Sequence, residues 1–355
     1  MTRAALAGFA ALLLGAVLPS ASAAEPKCPA VITQPSPTKA WHDQSGGHPL
    51  AGTVLQGAEG RARGVAPCSP EPIEALAHTL TAHLAAGGLV LLGEVHDNGA
   101  QHALRGYLLH AIAAGLARQG RRPPALVFEH IRVDQAAALD PPMGPTPGSA
   151  RELLARLDWE NSGWPASTLF LPIFEAAAAH ALPIVPGHPT RAEVRDVARR
   201  GIQSLPADTA TRLGLDVPLP GPPADALLDE LEASHCGLVP RTAFTNMALA
   251  QRYRDAHMAA AMHSAASAHG VAILLAGNGH VRSDRGVPRD LARLASVRPS
   301  LAVALIEVED GRIEPADYML RDPQGSPAAD YVVLTPRTPR ADPCEAMRAQ
   351  FKKPG

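Results

Sequence analysis

Two short runs carry side chains able to do chemistry: Gly-Glu-Val-His at residues 93–96 and Gly-Asn-Gly-His at 277–280. Each follows an unbroken apolar stretch, "LVLL" in the first case and "VAILLA" in the second. Glu94 and His96 are two residues apart, so on extended backbone their side chains share a face. Asp97-Asn98-Gly99 follows, and Asp97 is expected to cap the next helix. Two more apolar runs end alike: "ALVFEH" delivers Glu129 and His130, and "PIVPGH" delivers His188. Two imidazoles with one or two carboxylates suit a hydrolytic Zn or Mn centre, where the metal lowers the pKa of bound water. On that reading Glu94, His96, Glu129 and His280 are the ligands, with Glu94 or Glu129 as general base. The bland alternative is that the same groups only hydrogen-bond one another's loops.

Something must bring these ends together. The apolar runs read as strands, and they alternate with helices at "AQHALRGYLLHAIAAGLARQG", "STLFLPIFEAAAAHAL", "NMALAQRYRDAHMAAAMHSAASAHG" and "VPRDLARLA". "SLAVALIEVED" is read as the final long strand. Continuous rather than alternating apolar strands belong to a parallel sheet covered on both faces. The expected fold is therefore α/β, three-layer, mostly parallel, with a helical insertion at about residues 190–245, where Pro-rich joints break the rhythm. In such a sheet ligands bind at the carboxyl ends of the strands, so all four polar ends would meet at one edge.

The flanks bound the rest. Arg3, the apolar stretch "AALAGFAALLLGAVL" and Ala21-Ser22-Ala23 follow the plan of a cleaved secretory signal over residues 1–23. That stretch is short for a membrane span, and Cys28 lacks the preceding residues of a lipoprotein signal. The protein is thus expected to be periplasmic or secreted. Residues 24–70 read as an extended arm, 71–340 as the α/β domain and 341–355 as a tail. Lys and Arg number 32 against 34 Asp and Glu, a net charge of −2, which gives no field for nucleic acid or an anionic membrane. Four cysteines, Cys28, Cys68, Cys236 and Cys344, fit disulfides in an oxidising compartment. Cys28 with Cys68 is the preferred pair because it would staple the arm, and Cys236 could equally be a buried free thiol. His42, His48 and His78 are read as surface residues. There is no Walker loop, no GxGxxG, no GxSxG and no CxxCH.

The sequence resembles the ChaN-like haem-binding uptake family, within the superfamily that includes Tiki proteases and erythromycin esterases. The resemblance covers about residues 75–335. It rests on "LGEVHDN" with His102 downstream, "VFEH", "WENSGWP", "SHCGLVP", "QRYRDAHMA", "AGNGHVRSDRGVP" and "DYVVLTP". It implies an exported protein that binds haem or another iron-bearing ligand, and a sheet edge that in other branches holds a catalytic metal. The superfamily positions fall on Glu94, His96, Glu129 and His280, with Arg282 and Asp284 following.

A haem site needs an axial donor, an apolar slot and partners for the propionates. The candidate residues are His96, His102, Tyr107, Tyr253, Arg254, His280 and Arg282. Arg254 and Asp255 could form a structural ion pair as readily as Arg254 could meet a propionate. Trp159 and Trp164 would anchor a loop over the edge or lie on a flat ligand, while Met258 and Met262 are expected in the core. The function expected is non-covalent haem binding in haem or iron uptake, without catalysis; the alternative is the Mn or Zn hydrolase. Expected partners are haem, outer-membrane or periplasmic haem-transport components, and a second copy of the chain where a haem site is shared in a homodimer.

Overall fold

The structure is a computed structural model that describes residues 36–41, 47–57, 71–294 and 298–351. The signal sequence, Cys28, Cys68 and His42 lie outside the described residues.

Strands β1 (Val54–Gln56), β2 (Leu89–Leu92), β3 (Ala125–Arg132), β4 (Ile184–His188), β5 (Ala272–Leu275), β6 (Ser300–Glu307) and β7 (Tyr331–Thr335) form one sheet in the order β1-β7-β6-β2-β5-β3-β4. All neighbours are parallel except β1 with β7. The helices are α1 (Pro72–Ala85), α2 (Gly99–Arg118), α3 (Ser149–Arg156), α4 (Ser167–Ala179), α5 (Arg191–Arg200), α6 (Ala207–Leu213), α7 (Gly221–Ser234), α8 (Thr245–His269), α9 (Val287–Leu291) and α10 (Pro343–Phe351). None of the described helices is long and apolar enough to cross a membrane.

Side-chain alternation along the strands fills two cores. In β2, Val90 and Leu92 join α1, α2 and α4 on one face, while Leu89 and Leu91 join Met258 and Met262 of α8 on the other. Burial on both faces is why these strands read as continuous apolar runs. The two methionines are core residues, as expected from the sequence.

Several sequence expectations change. Val54–Gln56, within the stretch read as an arm, pairs with β7 as an edge strand. "YVVLT" adds a strand after β6, and the tail contains α10; short runs give too little periodicity to assign. His48 is buried, its ring held between the Glu309 carbonyl at 3.1 Å and the Leu50 amide at 3.2 Å, rather than on the surface. Cys236 is bonded to Cys344 and is not a free thiol.

The insertion comprises α5, α6 and α7 and packs on α8 around Val197, Leu213, Leu215 and Tyr253. Capping is regular at the helix that leaves the first motif, but the cap is Asn98, which accepts from the Gln101 amide at 3.0 Å. Asp97 instead makes a two-pronged ion pair with Arg340, at 2.7 and 3.0 Å.

Candidate functional site

Strands β2, β5, β3 and β4 are consecutive in the sheet, so the four polar ends found in the sequence are neighbours at one edge. Alternation then divides them. Leu92 and Phe128 lie in the core with α2 and α4, which sends Glu94 and His130 to that side. Val127 faces α8, and Glu129 follows it to Asp255 and His280. The register of β3 with β4 shifts between Phe128 and Arg132, the stretch that carries these groups.

On the first side Glu94 is a buried hub. One carboxylate oxygen accepts from His96 Nδ1 at 2.6 Å and His130 Nε2 at 2.8 Å. The other faces His102 Nδ1 at 3.4 Å and forms an ion pair with Arg105. Burial draws Arg105 down to about 9, against the pull of Glu129, so the guanidinium stays charged at neutral pH. The His102 ring packs on Phe170 at 4.1 Å between centroids, and its Nε2 bonds the His96 carbonyl at 2.8 Å. His102 is thus sealed behind the edge, where it props the loop that carries His96.

On the second side His280 is clamped, with Nδ1 2.5 Å from Asp255 and Nε2 3.1 Å from Glu129. Burial pushes its pKa down, but these carboxylates outweigh burial and hold it at about 10. Glu129 in turn is held well below the usual range: burial opposes this, but the His280 charge and hydrogen bond prevail. Its second oxygen accepts from the Gly277 amide at 2.7 Å. Asp255 therefore partners His280, and the Arg254–Asp255 ion pair considered from sequence does not form.

His96 stands between the two groups. Its side chain is 38% exposed, its Nδ1 is fixed by Glu94, and its Nε2 has no hydrogen-bond partner among the described residues. A Cβ at Gly277 would lie 3.0 Å from His96 Cε1 and 3.2 Å from its Nε2, so a larger residue there would press this ring aside by a few tenths of an ångström. Burial lowers its pKa, which keeps the imidazole neutral. The Trp164 indole lies 4.9 Å from the His96 ring and 4.6 Å from His130, anchored by its Nε1 on the His130 carbonyl at 3.0 Å. Trp159 is buried against Phe170 and serves as the loop anchor.

Beside Trp164 opens a cleft of about 290 Å³ lined by Glu129, His188 and three arginines, Arg132, Arg191 and Arg254. Arg132 is paired with Asp134, and Arg191 donates to the Ser162 carbonyl. Arg254 donates to Gln251, but its Nε is buried with no hydrogen-bond partner among the described residues. A buried donor left unpaired is costly and marks a place where an acceptor would be welcome.

Not every candidate from the sequence reaches this edge. Tyr107 is buried in the α1–α2 core, and Tyr253 packs in the insertion cluster, where burial raises both phenols to about 12. Arg282 makes a bidentate pair with Asp284 and donates to the Arg321 carbonyl, which bends the loop after His280. Among the described residues, the group able to place three ligand atoms within 4.8 Å of one another is Glu94, His96 and His130. Glu129 and His280 belong to the separate clamp. Sequence reasoning passed over His130 as a ligand and missed Arg105, although Arg105 falls three residues after His102 on the same helix face. Arg132 and Arg191 had no local signal.

The buried histidines set a pH dependence. His102 and His188 are drawn down to about 4, chiefly by burial, partly offset by hydrogen bonds to the His96 and Pro189 carbonyls. Unfolded histidine titrates near 6.5, so between pH 6.5 and 4 the unfolded chain holds more protons and stability falls with pH, by about 3 kcal/mol per group. His280 acts oppositely, its contribution being full below pH 6.5 and lost as pH rises through about 10. Urea midpoints should therefore peak near neutrality and fall at pH 5, with His188→Gln flattening the acid side. A midpoint unchanged between pH 7 and pH 5 would contradict these assignments.

A family model described as "Haem-binding uptake, Tiki superfamily, ChaN" matches residues 80–291. The fold is similar to the solved structure titled "Cofacial heme binding to ChaN of Campylobacter jejuni", at 20% identity and a TM-score of 0.54, covering 72% of this chain and 90% of that one. An erythromycin esterase mutant in its open conformation also aligns, at 14% identity and a TM-score of 0.42, over 82% of this chain and 99% of that one. No curated protein matches the sequence.

Proposed function

The chain belongs to the haem-binding uptake family of the Tiki superfamily that includes ChaN, and from that premise we propose that it binds haem non-covalently at the carboxyl edge of its sheet, with His96 as the axial donor. The observation that carries this reading is the state of His96: a neutral, partly exposed imidazole, Nδ1 locked on a buried carboxylate, Nε2 without a hydrogen-bond partner among the described residues. A carboxylate–histidine pair of this kind fixes the tautomer and orientation of a metal-binding imidazole. Bound haem would supply an iron that accepts Nε2, a flat apolar face and two propionates. The residues present fit it: Trp164 offers an aromatic surface beside His96, and Arg254 offers an unpaired buried Nε, with Arg132 and Arg191 beside it. His280 is not an axial candidate on this reading, because both its nitrogens are engaged; it holds Glu129 against Gly277 and so backs the His96 ring.

The role that follows is haem or iron uptake by an exported protein, handing haem to or from transport components of the envelope. The leader-like N-terminus and the Cys236–Cys344 disulfide support an oxidising, extracytoplasmic location. Hemin titration tests the reading. A saturable Soret shift is expected, with Arg254→Gln binding about tenfold more weakly, which is the worth of one charge-assisted contact. A spectrum that never saturates, like non-specific adsorption, would end the proposal.

A second reading has one observation in its favour. Glu94, His96 and His130 could hold a Mn or Zn ion, with Glu129 as base for hydrolysis. Against it, the Arg105 guanidinium already neutralises Glu94 and would repel a dication. Elemental analysis of the protein as isolated decides, since stoichiometric Mn or Zn would favour the hydrolase.

A further inference from the structure

We propose that Arg340 is a positioning residue for the haem edge: it straps the loop that carries His96 to the C-terminal segment, which the Cys236–Cys344 disulfide fastens to the insertion. This rests on the reading of His96 as the axial donor.

The chain leaves β7 and runs along the ends of β6 and β2 before entering α10. Along this path it makes a connected set of contacts. The Pro336 carbonyl accepts from Asn98 Nδ2 at 2.8 Å, and the Thr338 amide donates to Glu307 at 3.0 Å. Arg340 then spans two carboxylates. Its Nε and Nη2 grip Asp97 at 3.0 and 2.7 Å, and Nη1 and Nη2 reach Glu307 at 2.7 and 2.8 Å. Asn98 closes the ring on Glu307 at 2.6 Å. Four residues further on, Cys344 is bonded to Cys236, just past the end of α7. Helix α7 itself lies over the second motif, since Glu230 pairs with Arg285. The strap is therefore tied at one end to the sheet and at the other to the insertion, with Asp97 and Asn98 gripped between.

Those two residues directly follow His96. Besides the His102 bond to the His96 carbonyl, the loop is tied by the Val95 amide donating to Gln101 at 2.5 Å, the Asn98 amide to the Val95 carbonyl at 2.9 Å and the Asn278 amide to the Glu94 carbonyl at 3.0 Å, and none of these holds the Asp97 side chain. An isolated exposed ion pair contributes little, but a bidentate arginine within a network, on a segment held covalently, restricts geometry as well as adding energy. Lysine cannot reproduce the fork. Since His96 must present Nε2 in one direction, loosening Asp97 spreads its orientations and weakens any axial bond.

Hydrogen–deuterium exchange of the ligand-free protein, read at residues 93–100, tests the strap without haem. Arg340→Gln and the double variant Cys236→Ser/Cys344→Ser should exchange faster there than the parent, with Arg340→Lys in between. In hemin titrations Arg340→Gln should bind about tenfold more weakly, with a broadened Soret band that Arg340→Lys partly restores. Unchanged exchange in Arg340→Gln would overturn the proposal, as would faster exchange with hemin binding unchanged while His96→Ala loses it. If His96→Ala binds hemin as the parent does, the axial reading falls and the haem role of Arg340 falls with it; exchange still shows whether the strap holds the loop.

Discussion

Replacing His96 with alanine should weaken hemin binding by at least about 100-fold and move the Soret band to the position seen for hemin without a protein nitrogen ligand. The expectation follows from geometry. His96 is the imidazole at the edge that combines a 38% exposed side chain, an Nδ1 fixed by Glu94 and an Nε2 unpartnered among the described residues. By contrast, His102, His130 and His280 are buried and committed to Glu94, the His96 carbonyl, Glu129 or Asp255, and His188 is buried with its Nδ1 spent on the Pro189 carbonyl. Losing an outer partner of a metal-bound histidine alone costs 10–100-fold in affinity as an order of magnitude, so losing the donor itself should cost no less. Addition of free imidazole should restore much of the spectrum by filling the space the side chain leaves. His280→Ala should behave differently: it strips the cation between two buried carboxylates, so the protein should lose stability first and hemin affinity as a consequence. Absorption titration of both variants, alongside urea unfolding, separates the two effects. Equal affinity in His96→Ala and the parent would remove His96 as the donor.

Breaking the Glu94–Arg105 pair should cost about 3–5 kcal/mol of folding stability, the usual penalty for leaving one charge of a buried pair alone. Both side chains are wholly buried. In Arg105→Met the carboxylate keeps its bonds to His96 and His130 but no longer has a permanent cation. The double variant Glu94→Leu/Arg105→Met removes both charges and should recover a large part of the loss, because apolar replacements of a buried pair are often close to neutral. It should nevertheless fail to bind hemin tightly, since nothing then holds His96 Nδ1. Urea denaturation reads the first effect and hemin titration the second. If Arg105→Met unfolds within about 1 kcal/mol of the parent, Glu94 does not depend on that cation.

Much of this was legible in the chain. Continuous apolar runs such as "LVLL" and "AILL" specify buried parallel strands, and polar residues at their ends specify an edge where chemistry collects. Glu94 with His96 could be paired from type and spacing, and Glu129 and His280 could be assigned to the same edge as ends of separate strands. The motifs around "AGNGHVR" pointed to the family, and the matching family model bears this out. What local pattern could not supply was commitment. Whether an imidazole is free or spent depends on partners far away in sequence: His280 is consumed by Asp255 on α8 and Glu129 on β3, and His102 by a backbone carbonyl. Tyr107 and Tyr253 looked suitable as donors only because a helix face says nothing of which layer it meets.

The sequence by itself determined the periodicity, hence the strands, the helices and the polar edge, because those follow from short-range burial and alternation along the backbone. Only the tertiary structure decided which charges meet, since ion pairs such as Glu94–Arg105 and Asp97–Arg340, and the disulfide from Cys236 to Cys344, are long-range contacts that no local spacing encodes.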